Sequence, residues 1–481
     1  MKGLDLRPLV PALFVALTGL VVLLAQAFTP RGRRAPSAPL ALLGLGAALA
    51  AVAIIATGKS RPSVLAGTVA ADDFALFFHG LILAIAVLVV LLSPSYLRAT
   101  GIDHGEYYAL LLFSVVGMLG LVSCLELLSV FVALEIMSVA VYAMAGLRRD
   151  RAESREASAK YFITGAFSSA FFLYGVALLY GTSGSTWLAR IAPAVSGAGG
   201  GPLAVLGAAL LLVGFGFKVA SVPFHMWVPD VYEGAPTTVT AFMSAGVKAA
   251  AFGAFLRVFL VPLEALSAQW RPAVAVLAVV TVVVGNLGAL AQSNLKRMLA
   301  YSSIAHAGYL LSAMVAAPRA AAEAVLFYLV AYAAVNLGGF GALAALANRE
   351  GREPLSLDDL AGLAERRPVL AAALTLFLVS LTGVPVSAGF VGKFYLFNAA
   401  VSAGYAALAV VGVLMSVVSA YYYLRVVVAM YMREAVAEDK WAPVSGAARV
   451  ALALSASVVL GLGVYPGPVL LWARKAAESL R

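Results

Sequence analysis

Long apolar runs follow one another along almost the whole chain and restrict its fold more than any other feature of the sequence. A transmembrane helix needs about 20 mostly apolar residues to cross a bilayer core of roughly 30 Å. Fourteen runs meet this requirement, near residues 8–28, 38–57, 74–92, 107–124, 127–146, 160–180, 203–228, 238–262, 272–291, 299–316, 322–348, 368–397, 402–431 and 449–472. The sequence therefore predicts an all-α polytopic membrane protein with about 14 transmembrane helices.

Composition supports this class and excludes several others. Hydrophobic residues make up 63% of the 481 residues, against roughly 45–50% in soluble domains. The single cysteine, Cys124, cannot form an internal disulfide, and no Cys/His cluster has the spacing of a metal site. We therefore expect no bound metal, haem, iron–sulfur centre or other cofactor. A cleaved signal at Ala25-Gln26-Ala27 stays an alternative for the first run, although that run is longer than a typical signal.

The basic residues predict the orientation of the chain. The net charge of +10 does not predict nucleic-acid binding, because most Lys and Arg residues lie in short loops between the apolar runs. Loops after odd-numbered runs carry most of these residues, and the positive-inside rule places such loops in the cytoplasm. With fourteen spans, both termini are predicted on the non-cytoplasmic side.

Charged residues that lie inside the apolar runs include Glu135, Lys218, Lys248 and Lys393. A charge near the bilayer centre costs roughly 2.5–3.5 kcal/mol, so such residues usually line an ion or proton path. A buried amine releases its proton more easily than one in water, whereas a nearby carboxylate stabilises the ammonium form. A movement of Glu135 relative to Lys218 would therefore switch the lysine between holding and releasing a proton. A static ion pair is the alternative.

Polar side chains accompany these charges at helical spacing. The stripes are Glu135, Ser138 and Tyr142; Thr237, Thr240, Ser244 and Lys248; Ser302, His306 and Tyr309; and Tyr328, Tyr332 and Asn336. A spacing of three or four residues places each set on one helix face. Hydroxyl stripes also join membrane helices without any transport role. A hydrated proton lane is therefore predicted only for the stripes that contain Lys or Glu.

Two runs are interrupted by glycine and proline next to a lysine. The seventh reads GFGFKVASVPFHMWVPD around Lys218, and the twelfth reads SLTGVPVSAGFVGKFYLF around Lys393. Proline removes a backbone donor and clashes with the preceding turn, so the sequence predicts that helices 7 and 12 are broken. Such segments at corresponding positions of two halves are typical of inverted-repeat transporters. Coincidence is the alternative explanation.

The distance between the two interrupted runs predicts the domain organisation. The runs are five helices apart, and an odd shift inverts a helix relative to the membrane. We therefore expect two inverted five-helix repeats. The predicted domains are residues 1–106 with helices 1–3, 107–262 with helices 4–8 as the first repeat, 263–431 with helices 9–13 as the second, and 432–481 with helix 14.

Three segments together resemble one known family. They run from Lys218 through PFHMWVPDVYEGAPTTVTAFMSAGVK to Lys248, from 294 to 309 as NLKRMLAYSSIAHAGY, and from 381 to 397 as LTGVPVSAGFVGKFYLF. The chain resembles the antiporter-like proton-pumping subunits of respiratory complex I, a family shared with Mrp-type cation/proton antiporters. The resemblance implies the bacterial cytoplasmic (inner) membrane as location. It implies as partners the lipid bilayer, other membrane subunits of complex I including antiporter-like ones, and, indirectly, the peripheral redox arm.

The resemblance also implies roles for single residues. Glu135 and Lys218 match a coupled pair on helices 5 and 7, Lys248 matches a connecting proton carrier on helix 8, and Lys393 matches an exit-side carrier on helix 12. His306 matches a position on the central hydrophilic axis. A further histidine, at position 225 beside the proline of broken helix 7, is a candidate for gating, with simple packing as the alternative.

Three functions stay open at this level. The first is a proton-translocating membrane subunit of NADH:quinone oxidoreductase, and the second is an Mrp-type Na+/H+ antiporter subunit or a membrane subunit of a related hydrogenase. The third is a membrane scaffold with purely structural charges. No Gly-rich dinucleotide fingerprint is present, so partner subunits are expected to bind NADH. Lys393 disfavours the paralogue that typically has glutamate there, and the short segment after the last run disfavours the paralogue with a long lateral helix.

Overall fold

The computed structural model describes residues 6–30, 33, 35–58, 63–64, 67–196, 201–348, 351–434 and 441–480, and nearly all of them are helical. The first ten helices are α1 (Val10–Phe28), α2 (Ser37–Thr57), α3 (Asp73–Ala99), α4 (Gly105–Ser123), α5 (Leu127–Ala145), α6 (Ala152–Ser183), α7 (Leu188–Ser196), α8 (Gly201–Val219), α9 (Trp227–Gly234) and α10 (Thr237–Phe242). The others are α11 (Lys248–Leu260), α12 (Ser267–Leu290), α13 (Leu295–Ala313), α14 (Pro318–Ala344), α15 (Leu363–Arg366), α16 (Pro368–Thr382), α17 (Ala388–Ser402), α18 (Ala406–Met432), α19 (Gly446–Val464) and α20 (Gly467–Glu478). A small antiparallel hairpin, β1 (Ser63–Val64) and β2 (Val69–Ala70), lies between α2 and α3.

The predicted all-α polytopic membrane fold is confirmed. Twelve helical segments of the described residues are long and apolar enough to cross a membrane, and they correspond to twelve of the fourteen predicted runs. The tenth run forms α13, which carries charged and hydroxyl side chains along its length. The twelfth run is divided into α16 and α17. The fourteenth run was placed too long, because α19 ends at Val464, just before Pro466, which has no amide hydrogen to continue the helix.

Part of the loop charge used to predict orientation lies outside the described residues. This concerns Lys2, Arg31, Arg34, Lys59, Arg61, Arg349, Lys440 and Arg481.

Two membrane helices are interrupted. The first break separates α8 from α9, and the second separates α16 from α17. Each contains a non-glycine residue in the left-handed backbone region, Ala220 with φ 67° and Val386 with φ 69°, and the described chain has no other such residue. A residue in this conformation costs on the order of 1–3 kcal/mol and persists only where its surroundings hold it. Both breaks are therefore imposed by the surrounding structure.

Side chains at helix starts explain where several helices begin. Asp72 accepts the Ala75 amide at the start of α3, and Glu126 accepts two amides at the start of α5. Asn294 accepts the Arg297 amide at the start of α13. Each satisfies backbone donors that have no partner inside the helix.

The centre of the bundle is formed by α10, a π-helical turn at Met243–Val247 and α11, which follow one another directly. Every residue from 237 to 260 is buried. Helices α3, α4, α8 and α14 pack around this segment, and α14 also contacts α16, α17, α19 and α20. In contrast, α1 and α18 expose apolar side chains such as Leu17 and Val417. The charge on Lys248 therefore lies inside protein and is shielded from lipid.

Candidate functional site

Lys218 lies in the last turn of α8, directly before the first break, and only 3% of its surface is exposed. Its Nζ donates hydrogen bonds to Ser138 Oγ (2.8 Å) and to the Tyr142 hydroxyl (2.9 Å), both on α5. Ser138 donates its own proton to the Leu134 carbonyl (2.5 Å), so its lone pairs face the lysine. Two hydroxyl oxygens thus accept hydrogen bonds from the amine in place of the water that it loses on burial.

Glu135 lies on α5, almost one helical turn before Ser138, and is half-buried. Ser169 Oγ on α6 donates a hydrogen bond to Glu135 Oε1 (2.5 Å). The ion pairs found among the described residues do not include one between Glu135 and Lys218. Glu135 and Ser138, the hydroxyl residue that binds Lys218, lie on adjacent turns of α5.

Lys248 is the first residue of α11 and is 2% exposed. Its Nζ donates to the Ser303 carbonyl (2.5 Å) and to Ser303 Oγ (2.6 Å), and it lies 3.4 Å from the Tyr332 hydroxyl. The π-helical turn ends immediately before it. Such turns are rare in proteins, and many of those that occur lie at functional sites. Serine and tyrosine side chains from α13 and α14 thus hold this amine.

Lys393 lies on α17 after the second break and is 5% exposed. Its Nζ donates to the carbonyls of Leu381 and Thr382, both at 2.9 Å, and to Ser416 Oγ on α18 at 3.0 Å. Those carbonyls belong to the last turn of α16, where a helix has no amide to bind them. Gly383, with φ 91°, ends that helix and turns the chain towards the break. The break therefore creates the acceptors for the lysine.

A line of polar side chains connects the groups around Lys248 and Lys393. His306 on α13 shares hydrogen bonds with the hydroxyls of Tyr328 (2.5 Å) and Tyr423 (3.3 Å). Its ring also lies 5.4 Å from the ring of Tyr332, which binds Lys248, and 5.4 Å from the ring of Tyr309. The Tyr309 hydroxyl receives a hydrogen bond of 3.4 Å from Ser416, which binds Lys393. His306 thus lies close to tyrosines that belong to the surroundings of both lysines, while its own hydrogen bonds are to Tyr328 and Tyr423.

The region between Lys218 and Lys248 is more aromatic. Trp227 Nε1 donates to the Phe217 carbonyl (3.2 Å), and its ring lies 6.2 Å from the ring of Tyr232. The hydrogen bonds found among the described residues do not form a chain from one lysine to the other. Proton movement between these two sites would therefore require water or side-chain motion.

His225 lies in the break between α8 and α9 and is half-buried. Its carbonyl accepts the Val228 amide (2.9 Å), which fixes the backbone of the break. Among the described residues, no hydrogen bond or ion pair joins its side chain to Glu135 or to the three buried lysines.

A buried ion cluster that the sequence did not predict lies at one end of the bundle. Glu353, in the loop after α14, is 9% exposed, and its Oε2 lies 3.5 Å from Lys296 and 3.6 Å from Arg148. Its Oε1 accepts hydrogen bonds from Thr237 Oγ1 (2.6 Å) and from the Tyr96 hydroxyl. Burial alone would raise the pKa of the Glu353 carboxyl, but the nearby ammonium, the two hydroxyls and the guanidinium hold it below its usual range.

Several known proteins are similar to this chain. The family described as NADH:quinone oxidoreductase/Mrp antiporter, TM, matches residues 124–419. NADH-quinone oxidoreductase subunit N of Trichlorobacter lovleyi is 44% identical, and the alignment covers 100% of this chain and 98% of that protein. Subunit N 1 of Sorangium cellulosum is 46% identical, with 95% of each chain covered.

Solved structures are similar over the same length. A chain of respiratory complex I from Thermus thermophilus with bound aureothin is 39% identical, with a TM-score of 0.82 and coverage of 96% of this chain and 98% of that one. A chain of an archaeal membrane-bound sulfane sulfur reductase is 26% identical, with a TM-score of 0.85 and coverage of 98% and 96%. A chain of the Mrp complex from Dietzia is 24% identical, with a TM-score of 0.86 and coverage of 99% and 98%, and this likeness concerns the fold alone.

Proposed function

The chain belongs to the NADH:quinone oxidoreductase/Mrp antiporter transmembrane family, and we propose that it moves protons as subunit N of an NADH-quinone oxidoreductase. Relatives with that name match it over nearly their full length. Lys393 disfavours one of the other paralogues, and the relatives carry the name of subunit N. The chain is one subunit of a translocase. It works beside other membrane subunits of complex I, while partner subunits carry out the redox reaction.

The observation that carries this function is the set of buried amines held by exchangeable groups. Lys248 and Lys393 lie inside membrane helices, bound to hydroxyls and carbonyls, with His306 and tyrosines between them. Hydroxyl and imidazole groups both donate and accept hydrogen bonds, which is what proton relay requires. A structural ion pair would instead place a carboxylate against each amine, and the ion pairs of the described residues include neither lysine.

We propose the following roles for the single residues. Glu135 and Lys218 form the coupled pair, because Glu135 lies on α5 almost one turn before Ser138, which binds Lys218, and the separation of the two charged groups changes the electrostatic effect of each on the other. Lys248 connects this pair to the second half of the chain, and Lys393 carries protons towards the exit. His306 links Lys248 and Lys393. The histidine in the first break, His225, gates movement of the broken helix.

We further propose that residues 107–262 and 263–431 are inverted repeats, with 1–106 and 432–481 outside them. The packing of helices supports this division. In the first segment α4 packs on α5 and α6 packs on both parts of the broken helix, α8 and α9. In the second, α12 packs on α13 and α14 packs on both parts of the other broken helix, α16 and α17. A repeat of five helices inverts each helix relative to its counterpart.

The proposed orientation places the end of the bundle with Arg148, Lys296 and Glu353 in the cytoplasm. These residues come from separate connections along the chain and lie against one another. All of them follow odd-numbered spans or precede even-numbered ones, as alternating membrane crossings require. The chain is a multi-pass membrane protein, and we place it in the bacterial inner membrane with both termini on the non-cytoplasmic side.

The test is to assemble the complex with Lys248→Ala or Lys393→Ala and to measure NADH:quinone activity and vesicle acidification together. We expect both rates to fall several-fold, because coupled electron transfer stops when protons cannot move. Lys475→Ala is the matched control, since Lys475 is exposed at the end of α20. Wild-type rates in both buried-lysine variants would show that the charges are only structural. Acidification driven by a sodium gradient without NADH would instead identify an antiporter.

A further inference from the structure

The buried cluster around Glu353 has a place in the proton path. We propose that Glu353 takes up protons at the cytoplasmic end of the bundle and passes them to the hydroxyls that lead along α10 to Lys248. This inference rests on the proposed proton-translocating function and adds a proton-transfer residue to it. It starts from position and contacts, because Glu353 is the carboxylate that touches the first residue of the Lys248 stripe.

The loop that carries Glu353 is fixed against the helix ends. The Leu295 amide at the start of α13 donates to the Leu355 carbonyl (2.7 Å), two residues after Glu353. Arg148 Nη2 donates to the Gly351 carbonyl (2.9 Å), two residues before it. A glutamate is almost never buried unless it is paired. The backbone on both sides thus holds this carboxylate at one point inside the bundle.

The two oxygens of the carboxylate have different neighbours. Both cations, Lys296 and Arg148, face Oε2, whereas the two hydroxyls, Thr237 and Tyr96, face Oε1. One oxygen is therefore held by charge and the other contacts groups that can accept and pass on a proton. With this division, Oε1 can exchange protons with the hydroxyls while the cations beside Oε2 set the charge state of the carboxyl group.

Thr237, one of the two hydroxyl residues that contact Glu353, begins the predicted stripe. Thr237 is the first residue of α10, and Thr240 and Ser244 follow on the same face before Lys248. All three hydroxyl residues are fully buried or nearly so. At 1.5 Å per residue, the stripe spans about 16 Å. It therefore covers a large part of the distance from the bundle end to the membrane centre.

The surrounding charges set when Glu353 can take up a proton. Lys296 and Arg148 favour the carboxylate form of Glu353, and the charge of Glu233 favours the ammonium form of Lys296. In the observed arrangement the carboxylate is therefore ionised and closed to protons. Movement of Lys296 towards Glu233 or away from Glu353 would remove this control and allow uptake. Tyr96 completes the set of titratable groups that face the carboxylate.

The test compares Glu353→Gln with a control variant in which another buried, paired carboxylate is replaced by its amide. Glutamine keeps the shape and can still accept from Thr237 and Tyr96, but it cannot carry the proton. Asp72→Asn is the control, because Asp72 also forms a buried pair, with Arg257 at 2.7 Å at the other bundle end, and contacts no hydroxyl of the Lys248 stripe. Rates of NADH-driven acidification are measured per assembled complex over a range of pH.

We expect Glu353→Gln to lower the acidification rate several-fold, with a larger loss at alkaline pH, where protons are scarce. Glu353→Asp should recover part of the rate because it retains an acid. A wild-type rate and pH profile per assembled Glu353→Gln complex, with only assembly reduced as in Asp72→Asn, would overturn the inference and leave a structural pin. Lys248→Ala is measured in parallel. If Lys248→Ala and Glu353→Gln both pump normally, the proposed function itself fails. If Lys248→Ala stops pumping and Glu353→Gln does not, only the role of Glu353 is wrong.

Discussion

The acceptors of Lys218 allow a direct test of how this chain holds a proton. Ser138 and Tyr142 each accept one hydrogen bond from the amine. Ser138→Ala removes the first acceptor and leaves the second, and alanine keeps the helical conformation of α5 favourable. The substitution therefore changes the solvation of one ammonium group without adding a charge or a bulky side chain.

The expected magnitude follows from the lost hydrogen bond. A hydrogen bond to a charged group contributes about 1.5–3 kcal/mol, and each 1.36 kcal/mol corresponds to a factor of about ten in a protonation equilibrium. The binding of the Lys218 amine at this site in Ser138→Ala should therefore be weaker by about this amount of free energy, which corresponds to a factor of roughly 10 to 100. Acidification that depends on the amine being held at this site should slow accordingly.

The assay is NADH-driven acidification of vesicles that contain the assembled complex, measured as a function of pH. We expect the acidification rate of Ser138→Ala to fall by roughly 10- to 100-fold relative to wild type. Ser114→Ala is the control, because Ser114 is also buried against α5, where it donates to the Met137 carbonyl (3.2 Å), but does not contact Lys218. A Ser138→Ala profile that coincides with the Ser114→Ala profile would refute the assigned role of the hydroxyl.

Two further predictions address the neighbours of the site and the ion cluster. A Cβ on Gly165 would lie 2.0 Å from the Tyr142 hydroxyl, so Gly165→Ala should displace Tyr142 from Lys218 and lower the acidification rate. Gly181→Ala on the same helix is the control, because its Cβ would meet open space and should leave the rate unchanged. Equal rates in the two variants would contradict the role of Tyr142. The pKa of Glu353 is held below its ordinary value of 4.5, so the ion cluster contributes stability that is present above this pH and is lost as the pH falls towards the lower, folded-state value. Thermal melting of the wild-type complex should therefore decline more steeply on acidification than that of Glu353→Gln, and parallel slopes would show that the cluster adds no such stability.

The membrane helices could be predicted because the bilayer leaves few alternatives. Every backbone group in lipid must be paired within its own segment, so a long apolar run is almost always a helix. The same argument is weaker where the run is polar, as in α13, whose helical stripe of Ser302, His306 and Tyr309 faces other helices. Proline and glycine located both breaks. They could not give the left-handed conformations of Ala220 and Val386, which the packing imposes.

The buried lysines could be recognised from the sequence because a charge within an apolar run is conspicuous. Only some of their hydrogen-bond partners could be recognised in the same way. Ser138 and Tyr142 could be found from their spacing on α5. The Ser303 side chain was missed, although it lies next to a predicted stripe, because the periodicity favoured Ser302. The carbonyls that bind Lys393 have no sequence signal at all, since any residue supplies a carbonyl and only the end of α16 frees it.

Loop charges were the main source of error. Counting the basic residues between the apolar runs, which include Lys296 and Arg148, predicts the topology but assumes that a charge outside an apolar run is solvated. Lys296 is instead 1% exposed, because the loop after α14 folds back over the end of α13 and brings Glu353 to it. No pattern within one segment predicts such a cluster. A buried ion group formed by several connections depends on tertiary structure.

The two lysines beside the broken helices are held in different ways, and this difference bears on what each can do. Lys218 precedes its break and binds hydroxyls, which rotate and exchange donor and acceptor roles. Lys393 follows its break and binds two backbone carbonyls, which are fixed by α16 and can only accept. The surroundings of Lys218 can therefore change through side-chain motion alone, whereas two of the three acceptors of Lys393 move only with the backbone at the end of α16. On this basis we propose that side-chain motion controls the first site and that backbone motion at the second break contributes to proton release from the other.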